Sequence, residues 1–259
     1  MPKFSANLTM MFNEVKFLDR FERASKAGFK AVEFMFPYEW SREQLAGALE
    51  SHKLEQVLFN LPAGDWAGRD RGIACIPGRE SEFKDGVESA LNYAETLRCP
   101  TINCLVGLTP VGVGADKVHQ TLMDNLRFAA DALEKKGIRF VIEMLNHNAV
   151  LGFHLVRTRE ALQLLEEVDH PNLRLQYDIY HMQIMEGNLI DTISANISSI
   201  GHIQIADNPG RHEPGTGEIN FPNVFAAIDE VGYNGWIDCE YIPAGQTEEG
   251  LGWFEPYKQ

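Results

Sequence analysis

Eight short runs rich in β-branched and aromatic residues alternate with helix-like stretches along this chain, and each of the last four carries an oxygen-bearing side chain near its end. The runs are 4–10, 31–36, 55–61, 101–107, 139–146, 173–180, 201–207 and 235–242. Such alternation is the pattern of a parallel sheet joined by helical crossovers. Eight strand–helix units with no linker rich in Pro, Gly or Ser between them predict an α/β fold, a single (β/α)8 TIM barrel over residues 1–259. A chain of 259 residues with 44% hydrophobic content matches the usual size of that barrel.

Helices are expected at 15–27, 41–51, 80–97 and 116–136, with Ser41 and Thr158 as N-caps. Gly28 and Gly137 follow helical runs where a left-handed residue is wanted. The connection over residues 61–77 exceeds ordinary loop length and would overhang the C-terminal mouth of the barrel. There Trp66, Arg69 and Arg71 could serve as a lid, or the loop could be a disordered or subunit-contacting segment, which leaves room for a homo-oligomer.

Strand parity locates the chemistry. In RFVIE, LRLQYD, GHIQI and WIDCE the side chains of Glu143, Asp178, Gln204 and Glu240 share one parity. Their neighbours Ile142, Met144, Tyr177, Ile179, Ile203, Ile205, Cys239 and Tyr241 take the opposite parity and suit a face packed on helices. Gln176, His202 and Asp238 carry the polar parity one step deeper, so the barrel encloses something polar. Three carboxylates brought together would repel one another unless a cation holds them. All-oxygen ligands favour Mg²⁺ or Mn²⁺ over zinc. A divalent metal flanked by Glu143 and Glu240 suits proton transfer beside a carbonyl, one carboxylate taking a carbon-bound proton from the substrate and the other returning one to the adjacent carbon. His181, three residues past Asp178, is a candidate to bind a substrate oxygen or relay a proton. Arg211 is a candidate clamp for a substrate oxygen, with His212 and Glu213 beside it in the irregular stretch 208–220.

A formal charge of −14 speaks against nucleic acid as a partner, and a small acid must find its positive charge locally. Cys75, Cys99, Cys104 and Cys239 share no metal-ligand spacing and are expected to be buried free thiols. The start MPKFSANLTMMF lacks the apolar core of a signal peptide, and no membrane-length apolar run occurs; a cytoplasmic protein without a membrane partner is expected. Gly112-Val113-Gly114 lacks the third glycine of a dinucleotide fingerprint, and neither a GxSxG elbow nor an HExxH pair is present.

The segments NLTMMF, AVEFMFPY, PGRE, DIYH, HIQIAD, RHEPGTGEIN, DCEYIP and TEEGLGW, spread over nearly the whole chain, resemble the hydroxypyruvate isomerase family of the xylose-isomerase-like barrels, which stands beside 2-oxo-tetronate isomerases and ketose 3-epimerases. The resemblance implies Glu143 and Glu240 as proton donor and acceptor, and Glu143, Asp178, Gln204 and Glu240 as metal ligands. Sugar epimerases usually place histidine where this chain has Gln204 and a further glutamate where it has Ala149, which separates the chain from them. The expected activity is isomerisation of a short hydroxy-oxo acid, hydroxypyruvate or a 2-oxo-tetronate, through an enediolate. The alternatives are a ketose 3-epimerase, a metal-dependent endonuclease and a non-catalytic sugar-acid binding protein.

Overall fold

The computed structural model describes residues 1–258. Nine parallel strands run β1 (Lys3–Asn7), β2 (Ala31–Glu33), β3 (Glu55–Gln56), β4 (Leu58–Asn60), β5 (Thr101–Cys104), β6 (Arg139–Glu143), β7 (Leu173–Asp178), β8 (Ile200–Ile205) and β9 (Trp236–Cys239). Their order in the sheet is β3-β2-β1-β9-β8-β7-β6-β5-β4. The two ends of that order, β3 and β4, are halves of the expected third strand, interrupted at Val57. β3 pairs with β2 and β4 with β5, so the chain changes partner at the interruption and the sheet comes round on itself as a barrel. Val57 N–H still donates to Val32 O at 2.9 Å and Asn60 N–H to Met35 O at 2.8 Å, so the seam keeps contact with the β2 side.

Helices α1 (Phe17–Ala27), α2 (Arg42–His52), α3 (Glu80–Leu97), α4 (Ala115–Glu134), α5 (Thr158–Val168), α6 (Ile179–Met185), α7 (Leu189–Asn196) and α8 (Phe221–Glu230) fill the crossovers. A 3₁₀ segment, Thr247–Tyr257, closes the chain. Ser41 caps α2 as expected, in a reciprocal capping box with Gln44, worth about 1 kcal/mol. Thr158 is not a cap. It is the first residue of α5, and both its N–H (3.0 Å) and its hydroxyl (2.7 Å) donate to Glu186, whose carboxylate caps the helix from outside. Gly28 ends α1 in the left-handed region at φ 104°, and its N–H returns to the last turn.

Strands end earlier than their apolar patterns suggest because the backbone leaves the ladder to build the mouth. After β1 the N–H groups of Met10 and Met11 turn back onto Asn7 O, and after β7 the Asp178 side chain caps α6. The main core lies between strands and helices, where Ile142, Met144, Tyr177, Ile203 and Cys239 are fully buried. Inside the barrel, Ala31, Leu58 and Val141 belong to a separate small apolar cluster. They stand two residues before Glu33, Asn60 and Glu143 on parallel strands, so one side of the deeper layer is apolar, while Ser5, Gln176, His202 and Asp238 make the other side of that layer polar. All four cysteines are free and buried. No helix among the described residues is long and apolar enough to cross a membrane.

The 61–77 connection is tied to the barrel at its C-terminal end. Cys75 N–H donates to Val106 O at 2.9 Å, and within the connection Gly72 N–H donates to Ala63 O at 3.0 Å. Arg71 stacks over Trp66 at 4.0 Å, and Trp66 meets Phe36 edge-on at 5.1 Å. Gly72 sits at φ 103° with its α-carbon against the backbone that follows β5, where a Cβ would lie 1.8 Å from Leu105 O. Gly72→Ala therefore meets both a steric and a conformational barrier. We expect a loss of about 3 kcal/mol, seen in a thermal melt as roughly 6–12 °C of Tm for a chain of this size; an unchanged Tm would mean that the loop anchor moves freely.

Candidate active site

Each turn of the barrel delivers a polar side chain to the C-terminal end of the interior. They are Asn7, Glu33, Asn60, Asn103, Glu143, Asp178, Gln204 and Glu240, all buried. The second half of this ring was predicted from parity; the first half was missed, although SAN, AVE, LFN and TINC obey the same rule. Glu143, Asp178 and Glu240 converge, and His181 joins them: one ligand atom from each lies within 4.8 Å of the others.

Helix starts and strand pairs hold these groups. Asp178 Oδ1 accepts from the N–H groups of Tyr180 (2.7 Å) and His181 (3.3 Å) as N-cap of α6. Its Oδ2 is buried without a hydrogen-bond partner. Asn103 Nδ2 donates to Glu143 at 3.1 Å and to Asn60 at 3.0 Å, tying the missed half of the ring to the predicted half. The Asn146 backbone N–H donates to His181 Nδ1 at 3.0 Å, which places the proton of a neutral ring on Nε2. That nitrogen lies 3.5 Å from Asp178 Oδ2, so His181 presents a donor to the cluster.

Gln204 is oriented differently from the expectation of a simple oxygen ligand. Its Nε2 donates to Glu33 at 2.5 Å and to Glu240 at 3.3 Å, while its Oε1 accepts from Gln176 at 2.6 Å. In this arrangement Gln204 steadies Glu240 and Glu33. Arg211 reaches the site from the loop after β8, where its Nη2 donates to Glu240 Oε2 and lies 3.7 Å from Asp178. Its guanidinium also sits 5.1 Å from the Tyr180 ring. His212 is turned away, its Nδ1 2.7 Å from Ile242 O, and Glu213 accepts from Ala244 N–H at 3.0 Å.

Burial, together with the Glu240 and Asp178 charges, holds the Glu143 carboxyl well above the usual carboxylate range. Burial likewise lifts Glu240 to about 7, with Arg211 opposing the rise. Glu33 and Asp238 are raised by burial as well, and burial drops His181 to about 4 against the pull of Asp178. These enclosed acids are therefore harder to ionise than free carboxyls, a cost that a neighbouring cation would ease. Three converging carboxylates with one unpartnered buried oxygen are a donor set that fits a divalent metal.

A barrel whose strand ends gather acids and a neutral imidazole in one enclosed cluster is the form of a (β/α)8 enzyme. Comparison with known proteins agrees. Residues 21–257 match the family model described as xylose isomerase-like TIM barrel. The chain is 55% identical over 258 residues to the hydroxypyruvate isomerase of Escherichia coli K12, covering 100% of both. It is 46% identical over 257 residues to the 2-oxo-tetronate isomerase of Pectobacterium atrosepticum, covering 99% of this chain and 98% of that protein. A solved structure from Brucella melitensis described as an AP endonuclease of family 2 superposes with TM-score 0.98 at 47% identity over 100% of both chains. The 3-keto-D-glucoside 4-epimerase of E. coli shares the fold at TM-score 0.77 and 20% identity over 99% of both.

The chain belongs to the xylose isomerase-like TIM barrel family. Relatives at 44–55% identity that match it end to end carry isomerase names, and it is an isomerase of their kind.

The raised acids make a prediction about pH. A carboxyl whose folded pKa lies above its unfolded value holds an extra proton in the folded state, so stability falls as pH rises through that interval, which for Glu240 runs from about 4.5 to about 7. A bound cation removes that deficit, and its binding expels the protons. A Mn²⁺ ion held by this cluster would therefore raise Tm more at pH 8 than at pH 6. An equal rise at both pH values would separate these acids from the metal.

Proposed function

We propose that the protein interconverts a short 2-oxo-3-hydroxy acid and its 3-oxo isomer, hydroxypyruvate with tartronate semialdehyde or a 2-oxo-tetronate with the corresponding 3-oxo acid. Glu143 and Glu240 act as the proton donor and acceptor. The reading rests above all on the convergence of Glu143 and Glu240 with Asp178 and His181 inside the barrel mouth. The names of the end-to-end relatives support the substrate class.

In the forward direction one glutamate takes a proton from C3, leaving an enediolate across C2 and C3, and the other delivers a proton to C2. The net change moves one hydrogen from C3 to C2 and the hydroxyl proton from O3 to O2, so no oxidant or reductant is needed. Glu240, lifted to about 7, is poised to exchange a proton near neutrality. Arg211 keeps that group from rising further and offers charge to a substrate oxygen. His181 holds its Nε2–H toward the same space as donor to the enediolate oxygens. Glu143, Asp178 and Glu240 would hold Mg²⁺ or Mn²⁺, with Gln204 joining through its oxygen once its amide turns from Gln176. When bound, the cation supplies Lewis acidity at the substrate oxygens and neutralises the carboxylates. The cluster holds one histidine among three acids, and the chain's net charge is −14; neither suits a zinc-dependent nuclease. Four free, buried thiols support a reducing compartment such as the cytoplasm.

A proton NMR assay in D₂O with Mg²⁺ or Mn²⁺ tests the reading by offering hydroxypyruvate, a 2-oxo-tetronate and a ketohexose in parallel. Deuterium at C2 of the product from either acid is expected, and the better of the two is the substrate. Turnover of the ketohexose alone would make the protein an epimerase. Glu240→Gln should lower kcat about 10²–10⁴-fold and weaken Mn²⁺ binding. Near-normal turnover would remove Glu240 from the chemistry.

A further inference from the structure

Asp207 follows β8 and is fully buried, yet it touches none of the clustered acids. Its carboxylate is enclosed by the loop it precedes. Oδ1 accepts from the backbone N–H groups of Asn208 (2.9 Å) and Ile219 (3.1 Å), and Oδ2 from those of Gly215 (2.9 Å) and Gly217 (2.9 Å). Four amides therefore fold the segment 208–219 around one anion, and no ion pair with a lysine, arginine or histidine is found for it among the described residues. A Cβ at Gly217 would lie 2.6 Å from Asp207 Oδ1 and 2.3 Å from Asn208 O, so only glycine permits this approach.

The same loop carries Arg211. Asp207 N–H donates to His212 O at 2.8 Å, closing an isolated antiparallel bridge directly beside Arg211. Arg211 itself is held in the left-handed region at φ 56°, a conformation a non-glycine residue keeps only when its surroundings impose it. On its far side Arg211 O accepts from Ile242 N–H at 2.8 Å, two residues past Glu240. The backbone of Arg211 is thus gripped between the Asp207 cradle and the chain after β9, and its guanidinium is aimed at Glu240 and Asp178.

We propose that Asp207 is a positioning residue for Arg211: its charge, spent on four loop amides, sets the loop that holds the guanidinium over the catalytic acids. A buried carboxylate is a costly way to end a strand when a neutral residue would do, and this one is compensated only by the amides of the loop. The proposal rests on the reading of Arg211 as the clamp for substrate.

Asp207→Asn is nearly isosteric, but its amide nitrogen would face two backbone N–H donors, so it opens the cradle without creating a cavity. The direct readout is the Arg211 Nε–H resonance, shifted by the Tyr180 ring and assigned by its loss in Arg211→Lys. In Asp207→Asn it should move to the position of exposed arginines while the protein melts as a folded domain. With the better acid from the D₂O assay, KM should rise about tenfold or more, as in Arg211→Ala. The double variant should be no worse than Arg211→Ala within about twofold, because a residue acting only through Arg211 adds nothing once Arg211 is gone. An unmoved Nε–H signal, or losses that multiply in the double variant, would overturn the proposal. If Asp207→Asn does not fold, Asp207→Ser keeps an acceptor at the same Cβ and takes its place; failure of both to fold would make Asp207 a folding residue and overturn it equally. Should neither acid be turned over by the unaltered protein, the functional reading fails while the NMR signal still decides the role of Asp207.

Discussion

The mutual repulsion of buried carboxylates is the constraint from which the rest of this molecule follows. Glu33, Glu143, Asp178, Asp238 and Glu240 all lie in the barrel interior, and each is almost wholly shielded from water. Such a group persists only where hydrogen bonds, a counter-charge or a proton compensates it. Hydrogen bonds and a guanidinium both serve here. Ser5 and Asn7 donate to Asp238 at 2.8 and 3.0 Å, Asn103 to Glu143, Gln204 to Glu33 and Glu240, and Arg211 to Glu240. The interior therefore contains amides and a hydroxyl where most barrels place branched aliphatics. Stability must come from the layer outside the strands, which is correspondingly continuous and apolar.

Asp178 shows how closely fold and site are joined. One of its oxygens caps α6 and the other, without a partner, faces the acid cluster. The first turn of α6 in turn carries His181, whose Nδ1 is held by Asn146 beyond β6. The spacing DIYH is thus a geometric device: a strand end, a helix start and a ring nitrogen fixed relative to one another by local hydrogen bonds. Local rules of that kind are the ones a sequence displays openly.

That is why the barrel and half of its polar ring were legible. Parity is a property of each strand alone, and it placed Glu143, Asp178, Gln204 and Glu240 inward without knowledge of neighbours. Other features depend on partners far away in the chain. The interruption at Val57 arises because residues 55–60 must serve two different strands, and nothing in EQVLFN announces the change. Thr158 resembles an N-cap locally, but Glu186 supplies the cap. Gln204 has the right position for a ligand, yet its amide is oriented by Glu33, 171 residues away, and by Gln176. The inward Asn7, Glu33, Asn60 and Asn103 obeyed the parity rule too; strands of three to five residues are too short for a polar residue at or next to the end to stand out against a strand end in solvent.

The acid cluster also constrains how the proposed chemistry is run. Protonating Glu143 and Glu240 relieves the repulsion but removes the base that the reaction needs. A cation relieves it and leaves a carboxylate free to take a proton. Arg211 does part of this alone: it opposes the rise of Glu240 and leans toward Asp178, but a single guanidinium cannot balance three converging carboxylates and an incoming substrate carboxylate as well. An acidic protein that is to bind a small acid in an acidic pocket therefore needs its positive charge concentrated at one place. The loop built around Asp207 supplies the fixed part of that charge, and the converging acids define where the remainder belongs.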